Sequence, residues 1–188
     1  MQKYHSVAKG FTLIELIIVI ALIALLATTV ILVINPVKIF QEARDSQRIA
    51  DVSQMNKALS FMLATSSVNP VLGPSSALCY VYKASQSCSS RYPSATLTAT
   101  STASQVVTGT GWVRVDLRPS PAISAWPIDP KNDDTNFYSF AYDSTNQWEF
   151  TAAMESIRYG SSTNVDNVVK TDGGNVDTLF EVGTNVNL

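Results

Sequence analysis

The chain has 188 residues, with 13 basic and 15 acidic side chains, one histidine and a formal net charge of −2. Lys3, His5 and Lys9 all fall within the first ten positions, so without those positions the balance is 11 basic against 15 acidic, or −4, and no imidazole remains. That composition argues against a direct nucleic-acid site, which needs a basic face, and against Ser-His-Asp, Cys-His or histidine-ligated zinc chemistry.

Residues 1–10 are a short basic leader. From Phe11 to Ile34 there are 24 residues, of which only Glu15 is ionisable and only Thr12, Thr28 and Thr29 are otherwise polar. At a helical rise of about 1.5 Å per residue the run reaches about 36 Å, enough to cross a hydrocarbon core of about 30 Å with some tilt. Basic residues ahead of the span favour a cytoplasmic amino end and send the chain beyond Ile34 to the far side. A conventional secretory signal has an apolar region of about 7–15 residues and a small-residue cleavage site. Ala24 and Ala27 imitate such a site, but this run is too long and contains a carboxylate.

Two readings of Glu15 compete. As a helix start, Thr12 and Glu15 fit the S/T-x-x-E capping box, and the carboxylate suits the positive end of the helix dipole. The other reading cuts the chain after Gly10, freeing an ammonium on Phe11. In helices packed side by side and shifted along their axes, Glu15 of one copy then pairs with the amino terminus of another. A carboxylate at mid-bilayer costs about 2.5–3.5 kcal/mol on insertion scales, so pairing would favour assembly over the lone helix.

Lys9, Gly10, Phe11, Thr12, Leu13, Ile14 and Glu15, followed by the unbroken apolar run, resemble the amino terminus of type IV pilins and pseudopilins. The resemblance implies that a membrane aspartyl prepilin peptidase cuts between Gly10 and Phe11 and methylates the new amino group on Phe11. It implies a part for Glu15 in docking into a helical filament. The implied partners are other copies of the chain, the peptidase, membrane lipid before assembly, and a membrane assembly platform with its ATPase. The implied location is a single-pass membrane protein with its globular domain outside the cytoplasm, then an extracellular pilus or a periplasmic pseudopilus. The implied fold is α+β, a long amino-terminal helix packed on a small antiparallel sheet.

Asn35 and Pro36 interrupt the helical pattern, either as a simple helix end or as a weak point that extends in the filament. Across 35–64 an amphipathic helix is expected, with Ile49, Val52, Met55, Leu59 and Met62 or Leu63 on one side and Asp51, Gln54 and Lys57 on the other. Its earlier part holds Lys38, Glu42, Arg44, Asp45 and Arg48. The default explanation for these charges is a solvated helix face; the alternative is contact between subunits.

Residues 65–188 suffice for one modest domain. It opens on turns at Asn69-Pro70 and Gly73-Pro74, then an apolar piece from Leu78 to Tyr82. Cys79 and Cys88 are the only cysteines, and an outward-facing domain favours a disulfide between them. The Ser/Thr-rich tract 84–111 is expected to be an exposed loop. Alternation then marks three strands: one at 112–117, one carrying Tyr138, Phe140 and Tyr142, and one carrying Trp148, Phe150, Ala152 and Met154. Asp143-Ser144-Thr145-Asn146 is a hairpin turn between the last two. The aromatic stripes belong to a core rather than to a ligand platform.

Two loops invite more. Trp126-Pro127-Ile128-Asp129-Pro130-Lys131-Asn132-Asp133-Asp134 is similar to the proline and aspartate segment of major pseudopilins. Around residues 170–175, Asp166, Asp172, Asn175 and Asp177 offer oxygen ligands, and the resemblance implies calcium there. The regular D-x-D-x-D-G spacing is missing, however, and turn geometry is the default explanation, so no cofactor is expected beyond a minor place for calcium. No catalytic motif is present, which favours a non-enzyme: a pilin, with a pseudopilin of type II secretion or DNA uptake, or a membrane-anchored binding module that never polymerises, as alternatives.

Overall fold

The computed structural model describes residues 10–66, 72–88, 90–119, 121–160 and 166–188, with the backbone alone at 32 and 33. The leader through Lys9 and the expected Asn69-Pro70 turn lie outside the described residues. The chain divides into two compact units, one ending at Ile39 and one spanning Phe40–Leu188.

In the first unit, α1 (Leu13–Ile34) is capped by Thr12 and ends at Asn35, whose φ of 44° and ψ of 79° lie in the left-handed region. Asparagine tolerates that conformation, and the following proline disfavours a helical one, so the break expected at this dipeptide is observed. The helix restarts at once as α2 (Pro36–Thr65), because proline is well suited to a first helical position, where its missing N–H is not needed.

The second unit is built on a five-stranded sheet of order β2-β1-β3-β4-β5. Its strands are β1 (Leu78–Val81), β2 (Thr98–Ser101), β3 (Tyr138–Tyr142), β4 (Trp148–Ala153) and β5 (Leu179–Gly183), with a short helix α3 (Ile157–Gly160) after β4. The hairpin between β3 and β4 places Phe140 opposite Phe150 and Tyr142 opposite Trp148. Its turn forms where expected: the Asp143 carboxylate accepts N–H bonds from Thr145 and Gln147 at 2.8 and 2.9 Å. Asn146 there adopts a positive φ of 61°.

Val52, Met55, Ala58, Leu59 and Met62 of α2 are buried in one apolar cluster with Phe140, Phe150, Trp112 and Trp126. The amphipathic helix and the aromatic strands therefore supply the core as expected. All five residues of β3 are buried, so the sheet is covered on both faces rather than one. Cys79, Val81, Cys88, Tyr92, Phe137, Ala141 and Leu188 form the second, smaller cluster.

Four expectations are corrected. No regular strand forms at 112–117: Trp112, Val113, Val115 and Leu117 are all buried, and a single bridge, Thr108 to Asp116, replaces a ladder. Residues 84–111 are not one exposed loop, because β2 lies within them. The sheet is not wholly antiparallel, since β2 pairs with β1 in parallel, Leu78 opposite Thr98 through Val81 opposite Ser101. The charges at the start of α2 do not all lie on a solvated face: Lys38 is exposed and Glu42 and Arg44 are half-buried, but Asp45 and Arg48 are fully buried.

Candidate functional site

Gly10 and Phe11 sit ahead of α1 and are open to approach: among the described residues nothing lies within 4 Å of a Cβ built at Gly10, and Phe11 is 89% exposed. Behind them the capping box closes in full. The Thr12 hydroxyl oxygen accepts from the Glu15 N–H at 3.2 Å, while Glu15 Oε2 accepts from the Thr12 N–H and hydroxyl, both at 2.8 Å. The helix-start reading of Glu15 is therefore realised within the chain. The carboxylate has local donors, which lowers the cost of carrying it in an apolar helix.

Leu13–Ile31 has a mean hydropathy of 2.8 and passes as a membrane span by length and composition, with none of it buried. Its apolar side chains surround the axis instead of forming a stripe, which suits a medium that is apolar on every side. Thr28 and Thr29 are satisfied within the helix, their hydroxyls donating to the Ala24 and Leu26 carbonyls at 2.8 Å. Neither leaves an unpaired polar group facing hydrocarbon.

In the second unit, Cys79 and Cys88 are joined in a disulfide, with Cα atoms 6.4 Å apart. Each of the four oxygen donors expected for calcium has a partner of its own within the chain. Asp166 pairs with Arg158 at 2.9 Å and Asp177 with Lys170 at 3.3 Å. Asp172 accepts from the Gly174 and Glu181 N–H groups, and the Asn175 amide donates to the Ser94 hydroxyl. Among the described residues no group of three or more His, Cys, Asp or Glu side chains is placed to hold a metal ion.

The structure adds a charged centre where the helix pattern suggests solvent. Arg48 Nε and Nη2 donate to the two oxygens of Asp129 at 2.6 and 2.9 Å, Nη1 donates to Asp45 at 2.7 Å, and Nη2 also reaches Glu155 at 2.6 Å. Arg44 grips Glu155 with two further bonds of 2.9 and 2.7 Å. Burial works against the Arg48 charge, but these partners outweigh it and raise its pKa. Bonds from Arg44 and then Arg48 hold the Glu155 carboxyl down to about 2, despite its burial. The loop similar to the pseudopilin segment is thereby fastened to α2 through Asp129. The signal was present in the spacing: positions 45, 48, 52, 55, 59 and 62 recur at three and four, so Asp45 and Arg48 continue the buried stripe.

Comparison with known proteins gives a family model, the prokaryotic N-terminal methylation motif, matching residues 6–31. Nothing among curated proteins or solved structures matches the chain. The matched segment contains Gly10, Phe11, Thr12 and Glu15 and most of α1, and it gives the chain the prepilin signature of type IV pilins and pseudopilins.

Proposed function

We propose that the protein is a pilin, a structural subunit that is cut between Gly10 and Phe11 by a prepilin peptidase, methylated on Phe11, held in the membrane by α1 and polymerised through that helix. One observation carries the reading: a 22-residue apolar helix whose only ionisable side chain lies in its first turn, directly behind an open glycine–phenylalanine pair. A span serving only as an anchor gains no more than a helix cap from a carboxylate there. In a stack of such helices, the same carboxylate can exchange its Thr12 donors for the amino terminus of a neighbour. The role is structural and calls for no catalytic group.

A second reading is a major pseudopilin of a secretion or DNA-uptake system, supported by the likeness of the Trp126 to Asp134 loop. Sheared surface filaments would favour the pilin, whereas a short periplasmic structure whose loss blocks secretion would favour the pseudopilin. The test of assembly is Glu15→Leu, which should insert in the membrane normally and lower filament yield at least about tenfold, the effect of one lost charge pairing of about 1.4 kcal/mol or more in an apolar setting. Unchanged filament yield in that variant would refute the pairing.

A further inference from the structure

Arg91 is a buried cation that no carboxylate among the described residues meets in an ion pair. It is 5% exposed, and its guanidinium lies over the Phe137 ring, 3.6 Å from the centroid. Nη1 donates to the Phe137 carbonyl at 3.2 Å and the Thr151 hydroxyl at 3.0 Å, and Nη2 donates to the Thr135 carbonyl at 3.0 Å. All three acceptors are neutral. Arg48, also buried and in the same unit, has three carboxylates around it. Of the guanidinium's five N–H bonds, Nε–H and one Nη2–H have no acceptor among the described residues. Burial pushes the Arg91 pKa down to about 10, so the group keeps its charge at neutral pH.

The same side chain lines a cavity of about 420 Å³, within the range of small-ligand sites. Hydroxyl-bearing residues Ser90, Thr135 and Thr178 form part of its wall, and Met154 and Leu179 give it an apolar side. Asp134, also in the lining, sets a negative charge in the same space.

We infer that this cavity binds a sugar acid of monosaccharide size, its carboxylate seated on the free N–H groups of Arg91, its hydroxyls on the Ser/Thr wall and its ring face on Met154 and Leu179. A planar guanidinium matches a carboxylate with two parallel bonds. Asp134 disfavours a second negative charge, which selects a monoanion over a phosphate ester. The sugar acid has two possible sources, free in solution or at the end of a polysaccharide, and both present the same chemistry.

The test is calorimetric titration of the full chain in neutral detergent micelles with D-glucuronate, D-glucose and glucose 6-phosphate. Glucuronate is expected to bind, and the other two to bind at least about tenfold more weakly, as one charge-assisted pairing requires. Thr178→Trp, at an exposed position on the cavity wall, should abolish glucuronate binding while leaving the thermal midpoint in place. Tighter binding of a glucuronate-terminated oligosaccharide assigns the site to polymer ends, and equal binding assigns it to the free sugar. Absence of glucuronate binding by the folded protein, equal binding of glucose, or full binding by Thr178→Trp would each overturn the inference.

Discussion

Arg48 and Glu149 show what burial does to single ionisable groups when partners are supplied and when they are not. Arg48 is matched by Asp45, Asp129 and Glu155, so Arg48→Ala leaves three acids without their shared cation and should destabilise the unit by about 3–5 kcal/mol in urea unfolding. The Glu155 carboxyl, depressed to about 2, adds stability that is complete above the ordinary carboxylate range and is lost as pH falls through about 2. Glu149 on β4 is the reverse case. It is fully buried beside Glu181 of β5, no other group among the described residues donates to Oε1 of either, and Glu149 Oε2 accepts the Leu188 N–H at 3.1 Å. Burial, then hydrogen bonding with Glu181, pushes the Glu149 carboxyl up to about 9, while Asp172 and Tyr92 stand nearby. The folded protein thus keeps a proton that the unfolded chain releases above about pH 4.5, so stability is complete below that value and falls as pH rises toward 9. Thermal unfolding followed from pH 5 to 9 should show stability falling with rising pH in the wild type and a much flatter profile in Glu149→Gln. The burial of Arg48 was legible only as a continuation of the apolar spacing of α2, its carboxylate partners were not, and Glu149 was not legible at all. A charge on a helix reads as solvated until a distant loop brings its partner, and Glu149 looked like the polar position of a half-buried strand whose second face is in fact covered.

Among the elements, legibility followed the size of the side chains. β3 and β4 announce themselves through large aromatics at alternate positions, and α2 through its recurring Val, Met and Leu. β2, Thr98 to Ser101, has no large residue, and its conformation comes from parallel pairing with β1 rather than from its own pattern. Residues 112–117 show the opposite failure. Their alternation is clear and Val113, Val115 and Leu117 keep to the core while Arg114 and Asp116 stay half-buried, but no neighbouring strand among the described residues offers a ladder. β5 follows a glycine-rich turn and is too short for its apolar Leu179, Phe180 and Val182 to set up a pattern; Gly183 closes it, where any Cβ would collide with the Trp148 carbonyl. Between β1 and β2 the parallel crossover carries the disulfide, which spans a separation of nine residues. Replacing Cys79 and Cys88 together by serine should cost about 2–3 kcal/mol in chemical unfolding, as closure of so short a loop gives, and should leave the β3–β4 hairpin intact.

For the molecule as a whole, the amino-terminal segment through α1 was the most readable part, since spanning length and apolarity are properties of composition and need no knowledge of long-range pairing. The matching methylation motif stands on that same segment. If Gly10→Leu blocks the proposed cut, mass spectrometry of the protein from its native host should find the leader retained and Phe11 unmethylated; normal processing in that variant would remove the peptidase from the account. The globular unit was legible as α+β with an aromatic core, but not in its strand order, because the partners in a sheet are chosen by contacts far apart in sequence. That order has a consequence for life in a crowd of identical chains. The outermost strands, β2 and β5, are four and five residues long, the former lined by threonine, alanine and serine alone. Margins so brief, the β2 side without one large apolar residue and the β5 side with Leu179 and Phe180 turned into the core, give a neighbour little to zip onto, so copies brought shoulder to shoulder in the proposed filament would be guarded against amyloid-like strand exchange.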